Sequence, residues 1–185
     1  MPSTIFWLNW GSCMEMISKI VGGFALMLAP SIWPESHAEC EVWRLETAFA
    51  QSVEQHDSKA FASFLHPGAV FNAVTDSPAR GSEEVRKNWA GIIEGKNLIL
   101  RWRPQHVNIG GDPNVAISHG PYTMENSNAK VNYMIGYFTS VWLRNAKTGV
   151  WKVLFDGDGH LPTPAENAEA LIKHMAQAPA SCPSK

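Results

Sequence analysis

Apolar residues recur at helical spacing along the first half of this chain and at strand spacing along the second. Val42, Leu45, Phe49 and Val53 fall on one stripe, which predicts an amphipathic helix over 41–55 with a single core face. Asp57 or Ser58 is placed to cap a short second helix carrying Phe61, Phe64 and Leu65, which stops at His66-Pro67-Gly68. A strand is expected over 69–73, then a loop at Asp76-Ser77-Pro78. Ser82 is the expected cap of a third helix, with Glu83 and Glu84 in its first turn, where the helix dipole favours acids. Val85, Trp89 and Ile93 mark its buried face.

After Gly95 the period changes. Segments 98–109, 115–125, 131–144 and 150–156 read as four strands, with turns at Gly110-Gly111-Asp112-Pro113, Ser127-Asn128 and Lys147-Thr148-Gly149. Pro104 marks a bulge or an edge within the first of them. Helices first and antiparallel strands last is an α+β plan. In 131–144 both faces are apolar: Tyr133, Ile135, Tyr137 and Val141 on one, Met134, Phe138 and Trp142 on the other. A solvated face would alternate apolar with polar. The second face therefore needs a cover, either a second copy of the sheet in a homodimer or the C-terminal segment. That segment carries a capping box, Thr163-Pro164-Ala165-Glu166, followed by Leu171, Ile172 and Met175, and predicts a small helix before the tail.

The N-terminus reads as a secretory signal. Ile20 to Ala29 is an apolar run after Lys19, too short to span a bilayer, and Ser36-His37-Ala38 places small residues where a signal peptidase reads. The expected organisation is 1–38 as signal peptide, with translation starting at Met14 or Met16, 39–161 as the folded domain, and 162–185 as a C-terminal helix and tail. An uncleaved anchor or a buried apolar helix is the alternative for the leader. The residues before Cys40 do not form a lipobox. The location that follows is periplasmic or secreted, with no membrane association once the leader is gone.

Composition narrows the partners. The chain has 185 residues, 45% hydrophobic and 17% charged, with a formal net charge of -2, enough for one domain with a real core. That balance gives no electrostatic case for nucleic acid and points to a small molecule or another protein. Cleavage would leave Cys40 and Cys182, which either pair in an oxidising compartment or stay as two thiols on loose ends. A bridge closing so long a loop contributes roughly 4 kcal/mol in the chain-entropy model. Neither cysteine has a His or Asp context for thiolate chemistry.

A long helix, a short helix, a strand, Arg80-Gly81 before a third helix, then four strands ending in Trp151-Lys152-Val153-Leu154-Phe155-Asp156 resemble the NTF2-like superfamily, its SnoaL-like and ketosteroid-isomerase-like members included. Within it the chain is similar to the domains grouped as DUF4440. The resemblance covers about 41–161 and implies a curved antiparallel sheet wrapped around the long first helix, with two shorter helices. It also implies a cone with an apolar pocket at one end, and dimerisation through the sheet. The steroid isomerase branch uses a carboxylate base on the first strand, a tyrosine on the first helix and a protonated acid on a later strand. In register with that pattern the base position is Asn72, whose amide cannot take the proton. The first tyrosine in the chain is Tyr122, and no acid lies between Glu125 and Asp156. The isomerase mechanism does not transfer.

The polar groups left to line a pocket are Asn72, His106, His119, Tyr122, Tyr133, Tyr137 and Asp156. His119 and Asp156 are the catalytic candidates, because a histidine near an acid works as a base or acid at neutral pH; a lone strand histidine is otherwise a satisfied, partly exposed residue. Trp43, Trp89, Trp102, Trp142 and Trp151 read as core rather than a ligand cage. Asp156-Gly157-Asp158-Gly159-His160 lacks the full calcium-loop pattern, so neither metal nor cofactor is expected. The function that follows is an exported domain binding a small, mostly apolar molecule in a cone. The alternatives are a SnoaL-like acid–base enzyme of isomerase, dehydratase or cyclase type, and a non-catalytic dimerisation scaffold. An enzyme requires a titratable side chain at the pocket with a polar partner in hydrogen-bond reach; a binding module requires isolated polar groups; a scaffold has a filled cone.

Overall fold

The computed structural model describes residues 35–73, 75–126, 128–130, 132–157 and 162–183. The expected leader, 1–34 of it, lies outside the described residues, and the expected cut after Ala38 falls inside the first helix, α1 (Glu35–Glu54). No helix of the described residues is long and apolar enough to cross a membrane. The core stripe of α1 carries Val42, Phe49, Ala50 and Val53, all buried. Asp57 caps α2 (Ser58–Phe64), its carboxylate accepting from the Lys59 and Ala60 amides at 3.0 and 2.8 Å.

Strand β1 (Leu65–Phe71) follows α2 at once, so His66-Pro67-Gly68 is strand rather than the expected stop. The register shifts between Leu65 and Val70, and such an irregularity is where a strand tolerates Pro and Gly. After β2 (Ala79–Arg80), helix α3 (Ser82–Glu94) starts from Gly81 without a side-chain cap. Ser82, the expected cap, is its first residue, and the Glu84 carboxylate instead reaches back to the Arg80 amide at 2.9 Å. The expected strand 98–109 is two, β3 (Leu98–Trp102) and β4 (His106–Ile109), both paired with β5 (Val115–Asn126). Its chain kinks at Pro104 and passes over Gly120, where a Cβ would lie 2.0 Å from the Arg103 carbonyl oxygen.

The remaining elements are β6 (Tyr133–Arg144), β7 (Trp151–Gly157), β8 (Thr163–Pro164) and α4 (Ala168–Met175). The sheet runs β2-β1-β7-β6-β5-β3, with β4 on β5 and β8 on β6. It is mixed, which corrects the expected antiparallel sheet: β1 and β7 are parallel. They are far apart in sequence and joined through α3 and five strands, so no hairpin turn dictates their relative direction. Thr163 and Pro164 are likewise not a helix start. They pair with Ile135 and Met134 along the stretch of β6 that β7 does not reach. The cap of α4 is Asn167, whose side chain accepts from the Ala170 amide at 3.0 Å.

The sheet curls into a half-barrel around α1. Phe49 sits at the centre of the packing, its ring centroid 5.1 Å from Phe61, 5.3 Å from Trp102 and 6.2 Å from Trp142. On the convex side α4 packs against β5 and β6, with Leu171 and His174 buried there. Beyond it the tail runs to α1, where Cys182 is bonded to Cys40 with Cα atoms 5.5 Å apart.

Because this bond closes a loop between residues 142 apart in sequence, it constrains the unfolded chain by about 4 to 5 kcal/mol in the chain-entropy model. The melting temperature is expected to fall by many degrees on reduction, and the Cys40→Ser, Cys182→Ser double variant should melt at the reduced temperature with or without a reductant. Identical melting of oxidised and reduced native protein in calorimetry would show that the bond constrains nothing.

Candidate functional site

One end of the half-barrel holds a cavity of about 170 Å³ between α3, β3, β5, β6 and the end of β7. Trp89, Ile92, Leu100, Trp102, Tyr122, Met124 and Phe138 form its apolar wall, and Asn72, Asp156 and Gly157 supply the polar rim. Strand parity explains the wall. Tyr122 and Met124 on β5 and Phe138 on β6 occupy even positions, which face inward with Ser118, Ser140 and Trp142. Tyr122 reaches across β6 because its neighbour is Gly136; a Cβ there would lie 2.5 Å from the tyrosine Cζ.

Asp156 reaches the cavity through a bulge. Trp151 and Val153 of β7 point inward, and strict alternation would send Asp156 outward. The β6–β7 register shifts so that Trp142 pairs with Val153 while Val141 pairs with Phe155, leaving Leu154 as the extra residue. Parity reverses there: Phe155 faces out and Asp156 faces in opposite Ser140. The Ser140 hydroxyl donates to Asp156 Oδ2 at 2.6 Å. Asn72 lies one residue past β1, with a left-handed φ of 56° that an asparagine adopts more readily than most residues, and its backbone N–H donates to the Asp156 carbonyl oxygen at 2.9 Å. It borders the cavity from a turn and not from the strand.

The other candidates lie outside the cone. His119 and Tyr137 sit at odd positions on the convex face, their rings stacked with centroids 5.5 Å apart, and His119 Nδ1 is 3.1 Å from Thr139 Oγ1. Tyr137 also packs edge-on against His174 and donates to Gln177 Oε1 at 2.6 Å, so both residues anchor the C-terminal segment. Tyr133 shares their parity and borders β8, where its carbonyl accepts from the Ala165 amide at 2.9 Å. His106 is exposed on β4 beside the disulfide. Trp89 and Trp102 are core and cavity wall at once, while Trp43, Trp142 and Trp151 are buried away from the cavity. Asp158, Gly159 and His160 of the Asp-Gly repeat lie outside the described residues; among those described, no group of three or more His, Cys, Asp or Glu is placed to hold a metal ion.

The structure adds a residue that the sequence reading passed over. Glu46 of α1 is fully buried, its Oε1 accepting from the Trp102 indole and its Oε2 from the Trp142 indole, each at 2.7 Å. Burial pushes its carboxyl above the ordinary carboxylate range; the two indoles oppose that shift without cancelling it. Ser118 Oγ makes no hydrogen bond itself. The signal was available in the pattern: Glu46 stands four residues after Val42 and three before Phe49, an acid on the core stripe of an amphipathic helix.

A family model described as the SnoaL-like domain matches residues 47–153. The chain belongs to the SnoaL-like domain family. Solved structures agree on the fold. An NTF2-like protein of unknown function from Pseudomonas putida KT2440 is 17% identical, with a TM-score of 0.54 over 65% of this chain and 84% of that one. A ketosteroid isomerase-like protein from Erwinia carotovora atroseptica SCRI1043 is 16% identical, with a TM-score of 0.52 over 67% and 95%. An LEH-like epoxide hydrolase of M. tuberculosis is 11% identical, with a TM-score of 0.50 over 75% and 91%. No curated protein matches the chain. The SnoaL-like match stops short of Glu46 at one end and of Asp156 at the other, so membership assigns neither carboxyl group.

The raised affinity of Glu46 for its proton has a definite consequence for stability. Between the ordinary value of 4.5 and its higher folded value, the native state keeps a proton that the unfolded chain has released. Stability is therefore expected to decline as pH rises through that window, and Glu46→Gln should remove this part of the slope whatever its effect on absolute stability. Chemical denaturation at a series of pH values measures it; an unchanged slope in the variant would assign the pH dependence to other groups.

Proposed function

We propose that the cone binds a small, mostly apolar molecule carrying one polar atom, and that Asp156 acts on that atom by acid–base chemistry. The observation that carries this reading is a carboxyl group with a hydroxyl partner at 2.6 Å on the rim of an otherwise apolar cavity. A pure binding module would present isolated polar groups, and a scaffold would have a filled cone. The reaction class is that of SnoaL-like isomerases, dehydratases and cyclases, with the base on β7 instead of at Asn72. Shared fold with a ketosteroid isomerase-like protein and an epoxide hydrolase is in keeping with such chemistry. Export to a periplasmic or extracellular location belongs to the same proposal, supported by the Cys40–Cys182 bond, since such bonds persist in oxidising compartments.

A homodimer is proposed on a separate observation. Across four strands of the convex face, Val70, Phe155, Val141 and Ile117 stand side by side in register, with Ile117 and Phe155 exposed. The C-terminal segment covers the neighbouring ground around Tyr137 and leaves this row bare. A second copy of the same row would bury it about a two-fold axis.

Titration with a panel of one- and two-ring carbonyl compounds, read by quenching of the wall tryptophans Trp89 and Trp102, is expected to yield binders whose affinity drops at least tenfold when Leu100→Trp fills the cavity. In D2O the binders should exchange protons beside their carbonyl, and Asp156→Asn should slow that exchange by about 100-fold or more. Binding without exchange would leave the binding module; no binding by any of the panel would remove the ligand reading. Light scattering is expected to give twice the chain mass for the native protein and the single mass for Phe155→Lys, and a native monomer would end the dimer proposal.

A further inference from the structure

Three residues from adjacent strands line up on the inner face of the sheet. Ser118 of β5 pairs with Ser140 of β6, and Ser140 pairs with Asp156 of β7. Cross-strand neighbours of this kind hold their Cβ atoms about 5 Å apart. Both serines are completely buried, and Glu46 descends onto them from α1, held from either side by the Trp102 and Trp142 indoles. The row thus links a carboxyl sealed in the core to a carboxyl in the cavity.

Hydrogen-bond bookkeeping gives this row a direction. A serine hydroxyl has one proton to donate and two lone pairs that accept. Ser140 has given its proton to Asp156 Oδ2, which leaves its two lone pairs free to accept. Ser118 Oγ, beside it, has no partner. The group that completes such a pattern is a donor, and a carboxyl that keeps its proton is one. Each Glu46 oxygen still accepts an indole N–H while the carboxyl proton turns toward the serines. The surroundings favour this state. Indoles face Glu46 from β3 and β6, hydroxyls face it from β5 and β6, and among the described residues no cation acts on it.

We propose that Glu46 is a positioning residue for Asp156, acting through the Ser140 hydroxyl in a directed hydrogen-bond chain that makes the two carboxyl groups titrate as a coupled pair. The inference rests on the reading of Asp156 as the working group of the cavity. A proton on Glu46 points Ser140 toward Asp156 and steadies the Asp156 anion, the form needed to take a proton from a ligand. Loss of the Glu46 proton places a second negative charge behind the serine and turns the hydroxyl between two acceptors. Asp156 then holds its own proton more tightly. The strength of the base in the cavity is in this way set by a group that no ligand touches.

The test follows the two carboxyl carbons by NMR in the full chain labelled with ¹³C-carboxyl Asp and Glu, across pH, without any ligand. In the native protein Asp156 is expected to titrate in two steps, the second coinciding with the step of Glu46. In Ser140→Ala, which leaves both indole bonds to Glu46 in place, the Asp156 curve should collapse to a single step with its midpoint about one pH unit higher, since the anion has lost a donor. Glu46→Gln should abolish the second step as well. A shift of Asp156 in Ser140→Ala with the Glu46 curve unmoved would confine the effect to the serine and overturn the proposal, as would one identical Asp156 curve in all three proteins. If Glu46→Gln fails to fold, the Ser140→Ala pair of curves decides alone. Because no ligand enters the measurement, failure of the carbonyl panel and failure of the coupling are separate results.

Discussion

The structure turns on one buried acid. Glu46 is sealed at the centre of the half-barrel with an indole N–H on each of its oxygens. A buried polar group is costly unless its hydrogen bonds are made, so the three side chains constrain one another. Trp102 belongs to β3 and Trp142 to β6, strands that flank β5 on either side. Gripping both from α1 fixes how far the sheet curls and where the helix lies against it. Trp102, held in this way, packs edge-on against Trp89 and Phe138 and forms the cavity wall with them.

The site is set by small departures from regular sheet geometry. An extra residue at Leu154 reverses the parity of β7 and turns Asp156 inward. Gly136 gives the Tyr122 ring room to cross β6. A break at Pro104 over Gly120 splits one long strand into two, so that the sheet edge can bend around α1. Each departure costs regular pairing and is retained where it shapes the cavity or the curl. The convex face follows a different logic: His119, Tyr137, His174 and Gln177 form a polar and aromatic patch that seats the C-terminal segment, and the Cys40–Cys182 bond ties that segment back to α1.

Much of the fold was legible in the order of residues, because helix and strand periods are local properties. The stripe of Val42, Phe49 and Val53 and that of Val85, Trp89 and Ile93 face the core as their spacing requires. Caps and ends were less legible. Gly81 replaces Ser82 at the start of α3, and Thr163-Pro164 prefers a bare stretch of β6 to a helix start, because a partner strand distant in sequence outcompetes local propensity. Of the candidate site residues, Asn72, Tyr122 and Asp156 meet at the cavity, while His106, His119, Tyr133 and Tyr137 lie outside it. Histidine chemistry drew attention to His119, but its odd position on β5 carries it to the convex face.

By itself the sequence determined the class of structure: a helical first half, a strand-rich second half and a core of aromatic residues. Periodicity and residue chemistry decide such features within a few residues of chain. Tertiary structure alone decided that Glu46 would be stripped of water between two indoles, that β1 would run parallel to β7, and that Asp156 would face Ser140 inside the cone. These depend on which strands become neighbours and in what register, and a single bulge on β7 reverses the outcome for Asp156.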